Sequence, residues 1–275
     1  MKKLLLMTLI FFGQNIFFIR GKLRSKLLKI INFIINYQIS DDPNNLKIQA
    51  TVNGVPFYFY FDGMSDTKQI FGNYNKREIE FIKDRMKEDS IFIDIGSHIG
   101  FYSQNIAAIF PKIKFAKIIS IEPNNILIKR QSENISLLNQ KIKGIKNKIY
   151  LENYAIGDSN RNTFLDLNRG YGSARVIDKI RDKSVQITMK PLLEILKKNN
   201  IKFITCLKID IEGYEDKALI PFFMTAPKIL YPQHIVLEHT SQNEWENKDF
   251  IKYIMNLGYV EKFKTRANIC LSLNI

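Results

Sequence analysis

The sequence predicts an α/β protein with a mostly parallel, doubly wound sheet that is covered by helices on both faces. Three observations predict this fold. Apolar, β-prone segments alternate with helix-like segments over most of the chain. Residues 91–103 read as a strand, a glycine turn and a helix, in that order. Residues 259–264 and 268–273 suit a closing antiparallel pair. A sheet of this kind binds ligands in a crevice at the carboxyl ends of its strands.

Length and composition indicate one large domain with a smaller extension. The chain has 275 residues, of which 45% are apolar and 25% are charged, as is usual for a globular protein. A cluster of two Asp, one Pro and two Asn at residues 41–45 is the best boundary. We therefore expect a basic, apolar helical segment at residues 1–40, a lead-in at residues 41–88, and the main domain at residues 89–275.

Each element follows from the periodicity of the apolar residues. In the lead-in, residues 46–52 and 55–61 alternate around Asn53-Gly54, a strong two-residue hairpin signal, and a helix follows at 74–87. Further strands are expected at 91–93, 117–121, 149–154, 203–209 and 234–238, with short flanking strands at 163–167 and 184–188. Further helices are expected at 101–110, 126–138, 191–198, 215–223 and 244–257.

The net charge of +14 is concentrated near the start of the chain. Residues 1–40 contain seven Lys and Arg and no Asp or Glu, so they carry half of the excess. The rest of the chain lacks the basic motif with interleaved aromatic residues that marks a nucleic-acid-binding module. We therefore expect no nucleic-acid partner.

The cysteines indicate a reducing compartment. Cys206 and Cys270 both lie in apolar runs, and two such residues make neither a disulfide framework nor a metal-ligand spacing. The three His residues are too scattered for a His-rich metal site. We expect a cytoplasmic protein. The N-terminal segment leaves open whether the protein is also peripheral to the membrane or anchored there.

The N-terminal segment has two parts. Residues 4–19 form an apolar run of 16 residues, shorter than the roughly 20 that span a bilayer, without a small-residue cleavage site after it. Residues 22–37 are amphipathic and basic, a pattern typical of helices that lie on an anionic membrane surface. Membrane-surface contact through residues 1–38 and packing against the main domain are both consistent with this pattern.

The glycine turn favours one class of nucleotide-like ligand. Asp94, Gly96 and Gly100 form D-x-G-x-x-x-G rather than the G-x-G-x-x-G of dinucleotide-binding proteins, which disfavours a nicotinamide enzyme. A carboxylate at the strand end would repel a diphosphate. It suits the ammonium group of a ligand such as S-adenosylmethionine. The alternative is a glycine turn with a structural role only.

Two further acids follow neighbouring strands. Glu122 lies 22 residues after Gly100, close to the roughly 20-residue offset at which a carboxylate meets a ribose hydroxyl pair. The alternative for Glu122 is an ordinary acid at a helix N-terminus. Asp158, after the third strand, suits either an adenine amino group or a turn.

Three acids crowd the end of the fourth strand. Asp210, Glu212 and Glu215 lie within L-K-I-D-I-E-G-Y-E, where a helix start would need only one or two acids. They suit an ammonium group, the proton of a substrate hydroxyl, or a divalent cation.

Four motifs in this order resemble the FkbM family of S-adenosylmethionine-dependent methyltransferases. They are D-I-G-S-H-I-G-F-Y-S, I-E-P-N, L-K-I-D-I-E-G-Y-E and I-V-L-E-H, and the resemblance covers roughly residues 89–275. It implies a Rossmann-like class I methyltransferase fold whose closing hairpin places one antiparallel strand in the sheet. It also implies that Asp94, Gly96 and Gly100 line the methionine end of S-adenosylmethionine and that Glu122 holds its ribose. Ser97 and His98, inside the same turn, join the expected cofactor-binding residues.

The resemblance implies O-methylation of a hydroxyl on a small molecule, sugar, glycan or natural product. Asp210 and Glu212, with His239 as a third candidate, are the expected catalytic residues. Two departures concern the motifs: His98 stands where the family usually has Asn, and Thr188-Met189-Lys190 replaces the usual T-L-D. These departures motivate an alternative, a membrane-peripheral binding protein whose methyltransferase fold does not catalyse.

Overall fold

The computed structural model describes residue 8 and residues 21–34, 47–60, 64–71, 74–113 and 115–274. The boundary at residues 41–45 and, apart from Thr8, the apolar run at residues 4–19 lie outside these ranges. The chain divides into two compact units: Met1–Lys76 with Gly170–Gly172, and Arg77–Arg169 with Ser173–Ile275. Within the described ranges, no helix is both long enough and apolar enough to cross a membrane.

The first unit contains a helix, a hairpin and a second short helix. Its elements are α1 Gly21–Ile34, β1 Ile48–Val52, β2 Val55–Phe59 and α2 Met64–Ile70. The two strands pair antiparallel with Val52 opposite Val55, and both turn residues have a positive φ, 54° at Asn53 and 78° at Gly54. A turn with two positive φ angles matches the twist of the strands. The predicted hairpin is therefore confirmed.

The second unit is built on a seven-stranded sheet. Its strands run in the order β12-β13-β11-β10-β3-β4-β5. These strands and the helices around them are α3 Lys76–Lys83, β3 Ile91–Ile95, α4 Phe101–Ala107, β4 Lys117–Ile121, α5 Asn125–Lys141, β5 Ile149–Glu152, α6 Leu192–Lys198, β10 Cys206–Ile209, α7 Glu215–Thr225, β11 His234–Glu238, α8 Phe250–Asn256, β12 Tyr259–Lys264 and β13 Asn268–Leu273.

Only β13 runs against the other strands of this sheet. It pairs antiparallel with β11 and with β12, whereas the remaining neighbours pair parallel. The closing hairpin therefore places its second strand inside the sheet and its first strand at the edge. This arrangement confirms the predicted Rossmann-like fold, including the single antiparallel strand.

Strand β3 shows how the sheet positions polar groups. All five of its residues are buried, and Ile91, Ile93 and Ile95 pack in one apolar cluster with side chains of α6, α7 and α8. Because side chains alternate along a strand, Asp94 faces the opposite side. Lys208 on β10 and Ser120 on β4 are its partners in register, so three polar residues lie side by side under the opposite helix layer.

A second, four-stranded sheet follows the third strand of the main sheet. Its order is β6-β9-β7-β8, with β6 Ala155–Ile156, β7 Arg161–Asp166, β8 Arg175–Ile177 and β9 Ser184–Lys190. The strand predicted at residues 149–154 ends at Glu152, and the next strand, β6, begins at Ala155 in the other sheet. Asn153 lies at the break, where its side-chain amide donates to the carbonyl oxygens of Glu122 and Pro123 and turns the chain.

Candidate active site

A buried polar network lies beneath the glycine turn, residues 96–100. Asp94 is fully buried, and its Oδ2 accepts hydrogen bonds from the backbone N–H and the hydroxyl of Ser103 on α4, at 3.1 and 2.7 Å. The hydroxyl of Ser103 lies 2.9 Å from that of Ser120. Gln131 on α5 donates to Ser120 and accepts from Ser97 at 3.1 Å. Side chains of β3, β4, α4 and α5 thus hold the turn from below.

Lys208 is the cation of this network, and it is 3% exposed. Its Nζ donates to the carbonyl oxygen of Gly96 at 2.8 Å and lies 3.7 Å from Asp94 Oδ1 and 3.8 Å from Asp210 Oδ2. Burial raises the pKa of Asp94, while the charge of Lys208 opposes that rise. Lys208 therefore balances the charge of Asp94 and links it to Asp210, whose side chain is 26% exposed.

The glycine turn needs its two glycines for different reasons. Gly96 has φ 71°, and a β-carbon there would overlap the carbonyl oxygen of Asp210. Gly100 has φ 82°, and a β-carbon there would press on the side chain of Gln131. The backbone N–H groups of Gly96 and Ser97 both donate to the carbonyl oxygen of Ile121, so the turn is fixed between the ends of β10 and β4.

Glu122 closes the turn on the β4 side. One of its carboxylate oxygens accepts from the backbone N–H of His98 and the other from that of Asn124, both at 3.0 Å. Burial raises the pKa of Glu122 to about 7, against the effect of these hydrogen bonds. Each carboxylate oxygen has capacity for a further hydrogen bond, so the residue can accept from a hydroxyl pair.

His98 stands in the turn with φ 54°. Asn and His both adopt this left-handed conformation more readily than most residues, so the backbone accepts the exchange of one for the other. Burial lowers the pKa of His98 to about 3, which keeps the ring neutral. Within the described residues its Nδ1 is buried without a hydrogen-bond partner.

Three carboxylates interact electrostatically at the ends of β10 and β11, and we name Asp210, Glu212 and Glu238 the acid cluster. Burial, and then the charges of Asp210 and Glu238, raise the pKa of Glu212 to about 7. Ser241 donates to Glu212 at 3.4 Å. Glu212 has φ 57°, a conformation that L-residues rarely adopt. The cluster therefore contains one carboxylate with a near-neutral pKa at a strained backbone position.

Glu215 forms its hydrogen bonds with residues outside the acid cluster. It accepts from the backbone N–H groups of Ile211 and Gly213 and from the indole of Trp245, at 2.7 to 3.3 Å. Its side chain thus fixes the loop that carries Glu212. The sequence groups Glu215 with Asp210 and Glu212, whereas the structure gives it a supporting role.

The remaining predicted site residues have partners of their own. The ring of His239 is 3.2 Å from the carbonyl oxygen of Thr265, so Nε2 carries the proton and donates. Asp158 follows β6 and forms an ion pair with Arg161, which also donates to the hydroxyl of Tyr214 at 2.9 Å. The predicted roles of His239 as a base and of Asp158 at an adenine group stay predictions.

The sequence interpretation missed Lys208 and Glu238 as site residues. A signal for Lys208 was present, because a lysine within the apolar run of a buried strand requires a carboxylate partner. Glu238 was part of a quoted motif, but only the sheet order shows that the end of β11 lies beside the end of β10. Across the described chain, no group of three or more His, Cys, Asp or Glu side chains is arranged to hold a metal ion.

A family comparison gives this geometry a context. The family model described as the methyltransferase FkbM domain matches residues 94–261, which include the glycine turn, Glu122 and the acid cluster. A search of curated proteins found no match.

Solved structures with a similar course of the chain include three methyltransferases. A methyltransferase FkbM from Methylobacillus flagellatus KT is 18% identical with a TM-score of 0.44, and the match covers 69% of this chain but only 44% of that one. An S-adenosylmethionine-dependent O-methyltransferase from Thermotoga maritima is 12% identical (TM-score 0.43; 73% and 66% covered). A precorrin-6y C5,15-methyltransferase from Geobacter metallireducens GS-15 is 13% identical (TM-score 0.40; 72% and 88% covered).

Proposed function

The chain belongs to the FkbM family of S-adenosylmethionine-dependent methyltransferases, and from this premise we propose that it methylates a hydroxyl oxygen of a small molecule or glycan. The fold is the class I methyltransferase fold. The observation that carries the proposal is Glu212, a carboxylate with a pKa of about 7 in the acid cluster, at the carboxyl end of the strand beside the glycine turn. A hydroxyl is a poor nucleophile at neutral pH, so O-methylation gains from a base of this pKa.

The residues around the glycine turn fit the cofactor. Glu122 offers two oxygens to the ribose hydroxyls, and Asp94 has an Oδ1 that is buried without a hydrogen-bond partner among the described residues. Asp210 supplies a carboxylate that is open to the crevice and suits an ammonium group. S-adenosylmethionine supplies an electrophilic methyl group on a sulfonium sulfur. In this proposal Gly96, Ser97, His98 and Gly100 shape the turn against which it binds.

The protein's own part in the reaction is to align and deprotonate the acceptor. Much of the acceleration of a methyl transfer comes from holding the reacting atoms in line. Glu212 accepts the proton that the acceptor hydroxyl loses, and burial, together with the charges of Asp210 and Glu238, keeps the pKa of Glu212 high enough for this. Ser241 and the loop fixed by Glu215 hold the base in place.

The test combines cofactor binding with methyl transfer. Calorimetry with S-adenosylmethionine should show binding, and tritiated methyl transfer into a panel of sugar and glycan acceptors should give a labelled product. Glu212→Gln should reduce turnover 100-fold or more, within the usual range for a general base, and leave cofactor affinity nearly unchanged. Glu261→Gln, an exposed acid on β12, is the matched control and should retain full turnover.

Two results would count against this proposal. Failure to bind S-adenosylmethionine at high micromolar concentration would contradict the hypothesis that the protein is a methyltransferase. Binding without turnover on any extract fraction would favour the alternative, a methyltransferase fold that binds but does not catalyse. A divalent cation, one of the three alternatives for Asp210, Glu212 and Glu215, is tested in the same assay by treatment with a chelator. The absence of a nucleic-acid partner stays a prediction, and RNA belongs in the acceptor panel.

Helix α1 supports a second proposal, contact with an anionic membrane surface. Leu23, Ile30 and Phe33 are 65%, 54% and 58% exposed, and their spacing of seven and three residues places them on one face. Lys26 and Lys29 are exposed beside them. A basic helix with an exposed apolar stripe is typical of interfacial binding.

Vesicle sedimentation tests this second proposal. The protein should co-sediment with vesicles that contain phosphatidylserine and stay in solution with neutral vesicles. Ile30→Glu with Phe33→Glu should abolish binding, whereas Lys252→Glu, a change of charge on α8, should not. Equal binding to both kinds of vesicle, or no binding, would contradict it.

A further inference from the structure

The small sheet carries a cavity that the family comparison does not explain. The cavity has a volume of about 340 Å³ and is lined by Asp166, Arg169, Ser173, Arg175, Arg181 and Glu244, with two apolar side chains of β8. We name it the arginine cavity. Its size suits a small-molecule ligand. Three arginines face two acids, so the lining carries an excess of one positive charge.

One arginine in the lining of the cavity has unused hydrogen-bonding capacity. Arg175 pairs with Glu244 through Nη1 at 2.9 Å, and its side chain is 25% exposed. Its Nε is buried and has no hydrogen-bond partner among the described residues. A buried donor without a partner is costly, so Arg175 retains hydrogen-bonding capacity that the described residues do not use.

Two further arginines in the lining of the cavity are exposed. Arg181 is 3.9 Å from Asp166, and its side chain is 66% exposed. Asp166 is already engaged by the backbone N–H and the amide of Asn168. Arg169 is exposed on the loop that follows β7. Guanidinium groups bind carboxylates and phosphates through paired hydrogen bonds.

The arginine cavity adjoins the proposed catalytic base. The positive charge of Arg175 acts on Glu212, where it opposes the rise in pKa. Glu244 packs on Gly213, the residue after Glu212, so closely that a β-carbon at Gly213 would overlap Glu244. The wall formed by Arg175 and Glu244 therefore continues into the loop that carries the base.

The order of the strands separates this cavity from the ribose end of the cofactor site. Strands β10 and β4 flank β3 on opposite sides. Glu122 follows β4, and a cavity of about 350 Å³ lined mostly by neutral amides, among them Asn125 and Asn153, lies beside it. The arginine cavity lies on the β10 side, where Glu244 packs on the loop that carries Glu212.

From these observations we propose that the arginine cavity is the acceptor site and that the acceptor carries an oxyanion, a phosphate or a carboxylate. Arg169, Arg175 and Arg181 would hold the oxyanion while a hydroxyl of the same molecule reaches Glu212. The inference rests on the proposed function for its catalytic meaning. The anion site itself is tested independently of turnover.

The experiment measures binding of three probes by calorimetry at low salt. Glucose 1-phosphate and glucuronate carry the two anionic groups, and glucose is the neutral control. Arg169→Gln with Arg181→Gln should weaken binding of the preferred anion about tenfold or more, equivalent to at least about 1.4 kcal/mol. Lys179→Gln with Lys183→Gln removes the same charge from the neighbouring exposed turn and should change affinity less than twofold. The thermal midpoint shows that each variant is folded.

The outcomes separate this proposal from the proposed function. Anion binding that depends on the two arginines supports the site, and the tighter of the two anions identifies its group. Glucose binding as tightly as the anions, equal losses in both double variants, or no anion binding at millimolar concentration overturns it. S-adenosylmethionine is titrated into the same proteins. If it fails to bind while the anion binds, the proposed function fails and the anion site stands.

Discussion

At the scale of single residues, the site is a balance of buried charges. Lys208 lies between Asp94 and Asp210, so one cation serves two carboxylates of unequal exposure. Among the described residues neither Glu122 nor Glu212 forms an ion pair, and burial raises the pKa of each to about 7. Two carboxyl groups with pKa values near 7 therefore lie on either side of the glycine turn.

Removal of Lys208 should destabilise the fold. Lys208→Met leaves the fully buried Asp94 without its counter-charge, which should lower the free energy of unfolding by about 3–5 kcal/mol. The double variant Lys208→Met with Asp94→Asn removes both charges and should recover part of the loss. Urea unfolding measures both changes. Losses that simply add would show that the pair is not coupled.

Cofactor affinity should depend on the ionisation of Glu122. Hydroxyls donate to the charged carboxylate, so binding favours the ionised form. Affinity for S-adenosylmethionine should therefore fall as the pH drops below about 7, by up to tenfold per pH unit. Glu122→Gln should remove this dependence, whereas Glu212→Gln should keep it. Calorimetry between pH 6 and pH 8 distinguishes the two variants, and a wild-type affinity independent of pH would refute the assignment.

At the scale of elements, the strands were predicted from sequence more accurately than the helices. The limits of β4, β11, β12 and β13 match the structure. Strands β4, β11 and β13 are short, mostly apolar runs, whereas β12 contains three charged residues. The helix predicted at 244–257 begins only at Phe250. Residues 245–247 bind side chains of α7 and do not join the helix. Glu215 accepts a hydrogen bond from the indole of Trp245, and Asp216 accepts one from the backbone N–H of Asn247. Such long-range contacts leave no periodicity in the sequence.

The structure predicts that alanine is tolerated less well at Gly96 than at other glycines with a positive φ, a difference that the sequence does not show. Gly96→Ala should strongly destabilise the protein, because the new β-carbon would overlap the carbonyl oxygen of Asp210 at a positive φ. Gly144→Ala is the matched control, with φ 81° and no atom within 4 Å of the new β-carbon, and should cost only about 1–2 kcal/mol of strain. Thermal unfolding compares the two. Equal effects would mean that Gly96 is needed for its backbone angle alone.

At the scale of the whole molecule, the order of the strands creates the site. The fold class, the closing hairpin and Glu122 at a strand end all followed from local patterns and motif spacing. The acid cluster did not, because Asp210 and Glu238 are separated by 28 residues and meet only through the pairing of β10 with β11. The arginine cavity was equally hidden, since its arginines come from loops and edges of a small sheet that local patterns do not connect.

The contribution of three buried carboxyl groups to stability should fall as the pH rises from about 4.5 to about 7, against an opposite contribution from His98 and His234, whose pKa values burial lowers. The pKa values of Glu122, Glu212 and Glu215 are each raised to about 7 by burial, whereas the unfolded chain releases these protons near 4.5. Between these values the three carboxyl groups bind more protons in the folded state, so their contribution to the free energy of unfolding decreases with pH and stays lower above 7. Urea unfolding of wild type and of Glu122→Gln across this pH range isolates the contribution of Glu122 to the pH dependence. A pH dependence that is identical in both proteins would contradict the raised pKa.

The most direct test of the site is whether Glu122 reads the ribose of S-adenosylmethionine. Calorimetry at pH 8 would compare the cofactor with its 2′-deoxy analogue in wild type and in Glu122→Ala. Wild type should lose about 1.5–3 kcal/mol of binding free energy on removal of the hydroxyl, as expected for a hydrogen bond to a charged group. In Glu122→Ala that loss should largely vanish, because the partner is already gone. Equal losses in the two proteins would contradict the placement of the cofactor on which the proposed function depends.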